Sequence, residues 1–76
     1  MMVRQFKFGC HGHSPWNTGR VGDVITQTGP RVGERHWLVV HIDHKVRWSY
    51  VTCQLITHQE AITEARNGAH WWTFGS

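Results

Sequence analysis

The sequence lacks any long apolar run. No segment approaches the about 20 apolar residues that cross a bilayer, and the N-terminus carries no apolar signal-peptide core. These absences argue against a helical membrane protein and predict a soluble protein of the cytoplasm. A chain of 76 residues accommodates one small domain, residues 1–76, and no second one.

Cysteine is scarce. Cys10 and Cys53 allow at most one disulfide, and without a secretory signal, reduced thiols or metal ligands are favoured over a bridge. Cys10-x2-His13 and Cys53-x4-His58 would together give Zn²⁺ a tetrahedral site that staples a small domain. These spacings match no standard zinc finger, and a cysteine inside a strand also suits an apolar core. We therefore expect no cofactor and keep zinc as the alternative.

A catalytic motif is absent as well. The sequence contains no glycine-rich phosphate loop, and no serine stands in a nucleophile elbow. His41 and Asp43 fall on one face of a predicted strand, but no nucleophile lies beside them in the sequence. A solvated strand end explains this pair, so we expect a protein that is not an enzyme.

The sequence has no run of basic or acidic residues, yet its charged residues are unevenly distributed along the chain. Eight Lys/Arg against five Asp/Glu give a net charge of +3. Residues 1–47 contain seven basic and three acidic residues, whereas residues 48–76 contain one basic and two acidic. The first part therefore favours a polyanion or an acidic protein surface as partner, although ordinary solubility charge explains +3 equally well.

What the sequence does contain is a pattern of short strands. The segments VRQFKF, RVGDVITQT, RHWLVVHID and VRWSYVTCQLI are rich in β-branched, aromatic or alternating apolar residues. In the first we expect Val3, Phe6 and Phe8 in the core. In the fourth we expect Val51, Cys53 and Leu55 to face inward, with a bend or bulge mid-strand. HWWTF predicts a fifth strand or a docked aromatic tail.

One helix interrupts this pattern. Thr57-x-x-Glu60 forms a capping box, and Asn67-Gly68 supplies a residue that ends helices. The spacing predicts a helix over about 58–66. The order β-β-β-β-α-β in so short a chain favours a mainly β fold, a small SH3-like antiparallel barrel or bent sheet with one short helix.

Residues 22–43 carry a family pattern. Gly22-Asp23, Val24-Ile25, Gly29-Pro30, Val39-Val40 and Ile42-Asp43 follow one another as in a hairpin opened by Gly-Asp and turned by Gly-Pro. This pattern resembles the KOW motif of SH3-like domains in NusG-type transcription factors and several ribosomal proteins. Trp37 stands where that motif has its glycine. The resemblance implies contact with RNA, the ribosome or RNA polymerase through the loop and the barrel edge.

Basic and aromatic residues in and around this segment are the candidate contact site. The arginine guanidinium group forms bidentate hydrogen bonds with phosphates or carboxylates. Aromatic rings stack on bases or fill pockets of a partner unless they belong to the core. The candidates are Arg20, Arg31, Arg35, His36, Trp37, Lys45 and Arg47.

The overall character, compact and rich in Trp and His, resembles small bacteriophage proteins directed against host machinery. We expect a phage-encoded regulator that binds host RNA polymerase or nascent RNA and modulates transcription, for example by antitermination. Two alternatives stay open. One is an inhibitor of another host nucleic-acid-handling complex, such as a defence nuclease. The other is a small zinc-stabilised structural protein.

Overall fold

The computed structural model describes residues 2–9 and 19–75, which form five strands and one helix. The elements are β1 (Val3–Gly9), β2 (Val24–Gly29), β3 (Gly33–His44), β4 (Trp48–Ile56), α1 (His58–Arg66) and β5 (Trp71–Gly75). The predicted mainly β class and the helix at 58–66 are confirmed. In the described part of the chain, no helix has the length and apolar character needed to span a membrane.

The strands form one mixed sheet in the order β1-β4-β3-β2-β5. Neighbours are antiparallel except β2 and β5, which run parallel because the chain returns to the sheet through α1. The sheet is not closed into a barrel, so the bent sheet is the correct one of the two predicted forms. It curls strongly enough that rings of its outer strands meet: the Phe74 centroid lies 5.4 Å from that of Phe6 and 5.3 Å from that of Phe8.

A β-bulge explains the continuous apolar run of β3. Val39 pairs with Cys53 but His41 pairs with Thr52, which leaves Val40 as the extra residue. The predicted irregularity was placed in the fourth strand, and this was wrong: the shift lies in β3. Because the bulge adds one residue, Val39 and Ile42 return to the same face although they are three positions apart.

The concave face of the sheet holds the larger core. Ile25, Trp37, Val39, Val51 and Cys53 are buried there, with phenylalanines from β1 and β5 packed against them. The inward orientation predicted for Val51, Cys53 and Leu55 is confirmed. Val3 was expected in the core and is 57% exposed. It lies three positions from Phe6, and an odd offset places the two residues on opposite faces of the strand.

The convex face carries α1. Val24, Ile56 and Ala61 are buried between sheet and helix, with Leu38 and Ala69 packed against them. The predicted capping box is present: Glu60 N donates to Thr57 Oγ1 (3.1 Å), and Thr57 N donates to Glu60 Oε1 (3.1 Å). This cap fixes where the helix begins, and it therefore fixes the position of His58, the first helical residue, above β3.

Candidate functional site

A cluster of titratable side chains lies on the convex face, where α1 begins. Glu34 and His36 are two residues apart on β3 and so share a face, and His58 is added from α1. His36 Nε2 lies 3.2 Å from Glu34 Oε1 and 3.1 Å from His58 Nδ1. One ligand atom from each of the three residues falls within 4.8 Å of the others. We call these three residues the His–Glu cluster.

His36 is the fixed member of this cluster, since it is only 6% exposed. Its Nδ1 lies 2.9 Å from Thr26 Oγ1, and Trp71 Nε1 donates to the same hydroxyl oxygen at 2.5 Å. The Trp71 ring also meets the His36 ring edge-on, with centroids 5.8 Å apart. These contacts hold the orientation of the imidazole, so its Nε2 stays directed at Glu34 and His58.

A second feature is a basic cleft at one end of the concave face. It lies between the outer strand β1 and the β2–β3 turn, and its lining residues are Arg4, Gln27, Pro30, Arg31 and Val32. Arg35 pairs with Gln27 across the β2–β3 hairpin and so shares that face. In the described part of the chain, none of these three arginines forms an ion pair. We call Arg4, Arg31 and Arg35 the arginine cleft.

A third basic group lies at the opposite end of β3, around the turn to β4. Lys45 Nζ is 3.3 Å from Asp43 Oδ2. Lys7 Nζ lies 4.2 Å from the centroid of the Trp48 ring. Part of this positive charge is therefore already engaged within the protein.

The candidate contact residues do not form one surface. Arg31 and Arg35 lie at the arginine cleft, whereas Lys45 and Arg47 lie at the far end of β3. Arg20 lines a separate depression next to the end of α1.

Two members of the candidate set are corrected. Trp37 is fully buried and its Nε1 donates to Gln27 Oε1 at 3.3 Å. His36 is nearly as buried and faces the helix side. Alternation along β3 directs one into the core and the other under α1, so neither forms part of an exposed surface. Arg4 was missed, although its alternation with Phe6 and Phe8 in the sequence already placed it on their face.

The residues predicted to hold zinc are not brought together where the structure describes them. Cys53 packs in the concave core beside Trp37, whereas His58 contacts His36 on the convex side. Burial raises the pKa of the Cys53 thiol to about 12, so the thiol stays protonated at neutral pH. Cys10 and His13 lie outside the described residues. The signal for the His–Glu cluster, Glu-x-His in a strand plus a histidine at a helix start, was present but not used.

Neither a family model, nor a curated protein, nor a solved structure matches this chain. The KOW resemblance therefore stays a prediction from the residues of the β2–β3 hairpin.

Proposed function

We propose that this chain is a binding module, not an enzyme, that contacts the phosphates of single-stranded RNA through the arginine cleft and modulates transcription. The observation that carries the proposal is the convergence of Arg4 and Arg31, from distant parts of the chain, on one cleft. Among the residues that the structure describes, its lining includes no carboxylate. An unpaired cluster of guanidinium groups is a site for a polyanion, because the arginine fork matches phosphate oxygens.

The position of the cleft agrees with what the KOW resemblance implies. That resemblance implies contacts through the loop and the sheet edge, and here Arg31 is on the loop while Arg4 is on the outer strand β1. The Arg4 guanidinium carbon lies 5.2 Å from the centroid of the Phe6 ring. Such stacking restrains the arginine and so lowers the entropy that it loses on binding a phosphate.

The biological setting that we propose is a bacteriophage-encoded regulator acting on nascent RNA beside host RNA polymerase in the cytoplasm. It is supported by the KOW resemblance and by the general character of the chain. In this setting the module occupies the transcript and thereby changes how the polymerase responds to it, without carrying out a reaction.

Binding to a fluorescently labelled single-stranded RNA, followed by anisotropy over a range of salt concentrations, tests the proposal. For single strands, log K falls with log salt by about 0.7 per phosphate neutralised. We expect Arg31→Ala and Arg4→Ala each to reduce this slope by about that amount. Arg66→Ala, which removes the same charge from the exposed end of α1, is the matched control and leaves the slope unchanged. Equal effects of the Arg31 and Arg66 variants would contradict a defined cleft.

A tagged pull-down from host lysate, with and without ribonuclease, separates RNA contact from protein docking. RNA polymerase subunits recovered only without ribonuclease, and lost with the double variant Arg4→Ala/Arg31→Ala, support the proposal. If RNA polymerase subunits are recovered after ribonuclease digestion and also with the double variant, the protein docks on the polymerase itself, and the RNA-contact mechanism is overturned.

A further inference from the structure

The His–Glu cluster has the geometry of a metal site. Around a tetrahedral Zn²⁺ with bonds of about 2.0–2.1 Å, two ligand atoms lie about 3.3 Å apart. The separations of 3.2 Å from His36 Nε2 to Glu34 Oε1 and 3.1 Å to His58 Nδ1 are already close to that value. The remaining separation is at most 4.8 Å. The Glu34 side chain is 59% exposed, so rotation of its carboxylate closes the gap without moving the backbone.

The surroundings of His36 prepare its Nε2 for a metal. The indole N–H of Trp71 can only donate, so Thr26 Oγ1 accepts it and keeps a second lone pair. When His36 Nδ1–H donates to this lone pair, Nε2 carries the free electron pair that a metal requires. A metal-binding histidine commonly has its other ring nitrogen held in this way, because the contact fixes both tautomer and ring orientation.

We propose that Glu34, His36 and His58 bind a divalent transition-metal ion, Zn²⁺ above all. Two imidazole nitrogens and one carboxylate are a ligand set suited to Zn²⁺, and they disfavour Mg²⁺ and Ca²⁺, which take oxygen ligands. Water fills the remaining position of the tetrahedron. The ion links β3 to the first turn of α1. It therefore stabilises the packing of the helix on the sheet, which otherwise depends mainly on a small apolar cluster.

This site differs from the zinc site suggested by the cysteine spacing, although both include His58. A site of two cysteines and two histidines binds through thiolates, whereas the His–Glu cluster contains no sulfur. Cobalt(II) distinguishes the two, because cobalt–thiolate bonds give intense charge-transfer absorption that nitrogen and oxygen ligands do not. We expect the cobalt-loaded full-length protein to lack this absorption.

The thermal midpoint of the chelator-stripped full-length protein, measured with and without Zn²⁺, tests the site. At a hundredfold excess of free Zn²⁺ over its Kd, we expect Tm to rise by about 10–20 °C, and Mg²⁺ to leave Tm unchanged. His58→Ala and Glu34→Gln alter exposed residues, so the fold persists while the rise is lost or falls by more than half. His41→Ala removes an exposed histidine of β3 outside the cluster and retains the full rise.

Three results would overturn the proposal. The first is a parent protein whose Tm does not respond to Zn²⁺. The second is a His58→Ala variant that responds as the parent does. The third is a thiolate charge-transfer band in the cobalt form. Because none of these readouts involves RNA, the proposal of a metal site and the proposal of RNA binding at the arginine cleft are tested independently.

Discussion

The hydrogen bond between Trp37 and Gln27 gives the strictest test of the core. Trp37 is 0% and Gln27 5% exposed, and the indole Nε1 donates to the amide oxygen at 3.3 Å. Trp37→Phe leaves that oxygen without its donor, and Gln27→Leu leaves the indole N–H without its acceptor. A buried polar group that loses its partner costs about 1–3 kcal/mol, whereas removal of both partners is nearly neutral for the bond itself. We therefore expect the double variant to lose about 1–3 kcal/mol less than the sum of the two single variants.

Urea unfolding followed by circular dichroism measures this coupling without depending on the number of tryptophans. A domain of this length has a free energy of unfolding of about 4–11 kcal/mol. Each single variant should lower the urea midpoint by about 1 M or more. Additivity of the two variants within about 0.5 kcal/mol would refute the reasoning, because independent sites behave in that way and hydrogen-bonded partners do not.

Two further predictions concern Cys53 and the helix cap. Burial raises the folded-state pKa of Cys53 from 9.0 to about 12, so above pH 9 the unfolded chain loses its thiol proton first. Stability should then fall by up to about 1.4 kcal/mol per pH unit between pH 9 and 12, and Cys53→Ala should remove this part of the slope in urea titrations at several pH values. Thr57→Ala should lower the free energy of unfolding by about 1 kcal/mol, because Glu60 N loses its acceptor. Thr63→Ala, further along the same helix, serves as the control in the same urea assay and should change stability by less than about 0.5 kcal/mol.

The sequence predicted the features that depend on neighbouring residues. Helix α1 was located because Thr57, Glu60 and Gly68 mark its ends through contacts within a few positions. The inward face of β4 followed from strict alternation at Val51 and Cys53. The bulge in β3 was not located, because an apolar run such as Trp37 to Val40 has no alternation to interrupt. Only pairing with β4 reveals which residue is extra.

The two sites depend on contacts that local pattern does not contain. Arg4 and Arg31 line the same cleft because the sheet curls until β1 approaches the β2–β3 turn. No local sequence pattern predicts this approach. His58 reaches His36 because α1 crosses over β3, and 22 positions separate the two residues. The spacing of Cys53 and His58 suggested a pair, but opposite faces of the sheet separate them.

Alternation along β3 assigns neighbouring residues to the two sites and keeps their charges apart. Glu34 and His36 face α1, whereas Arg35 and Trp37 face the concave side. Glu34 is the acidic residue nearest in sequence to Arg31 and Arg35, yet its carboxylate is directed at His36 Nε2, 3.2 Å away. A metal ion at that position would hold the carboxylate there more firmly. The His–Glu cluster thus helps to leave the arginines without an acidic partner among the described residues, which favours their binding to an external anion.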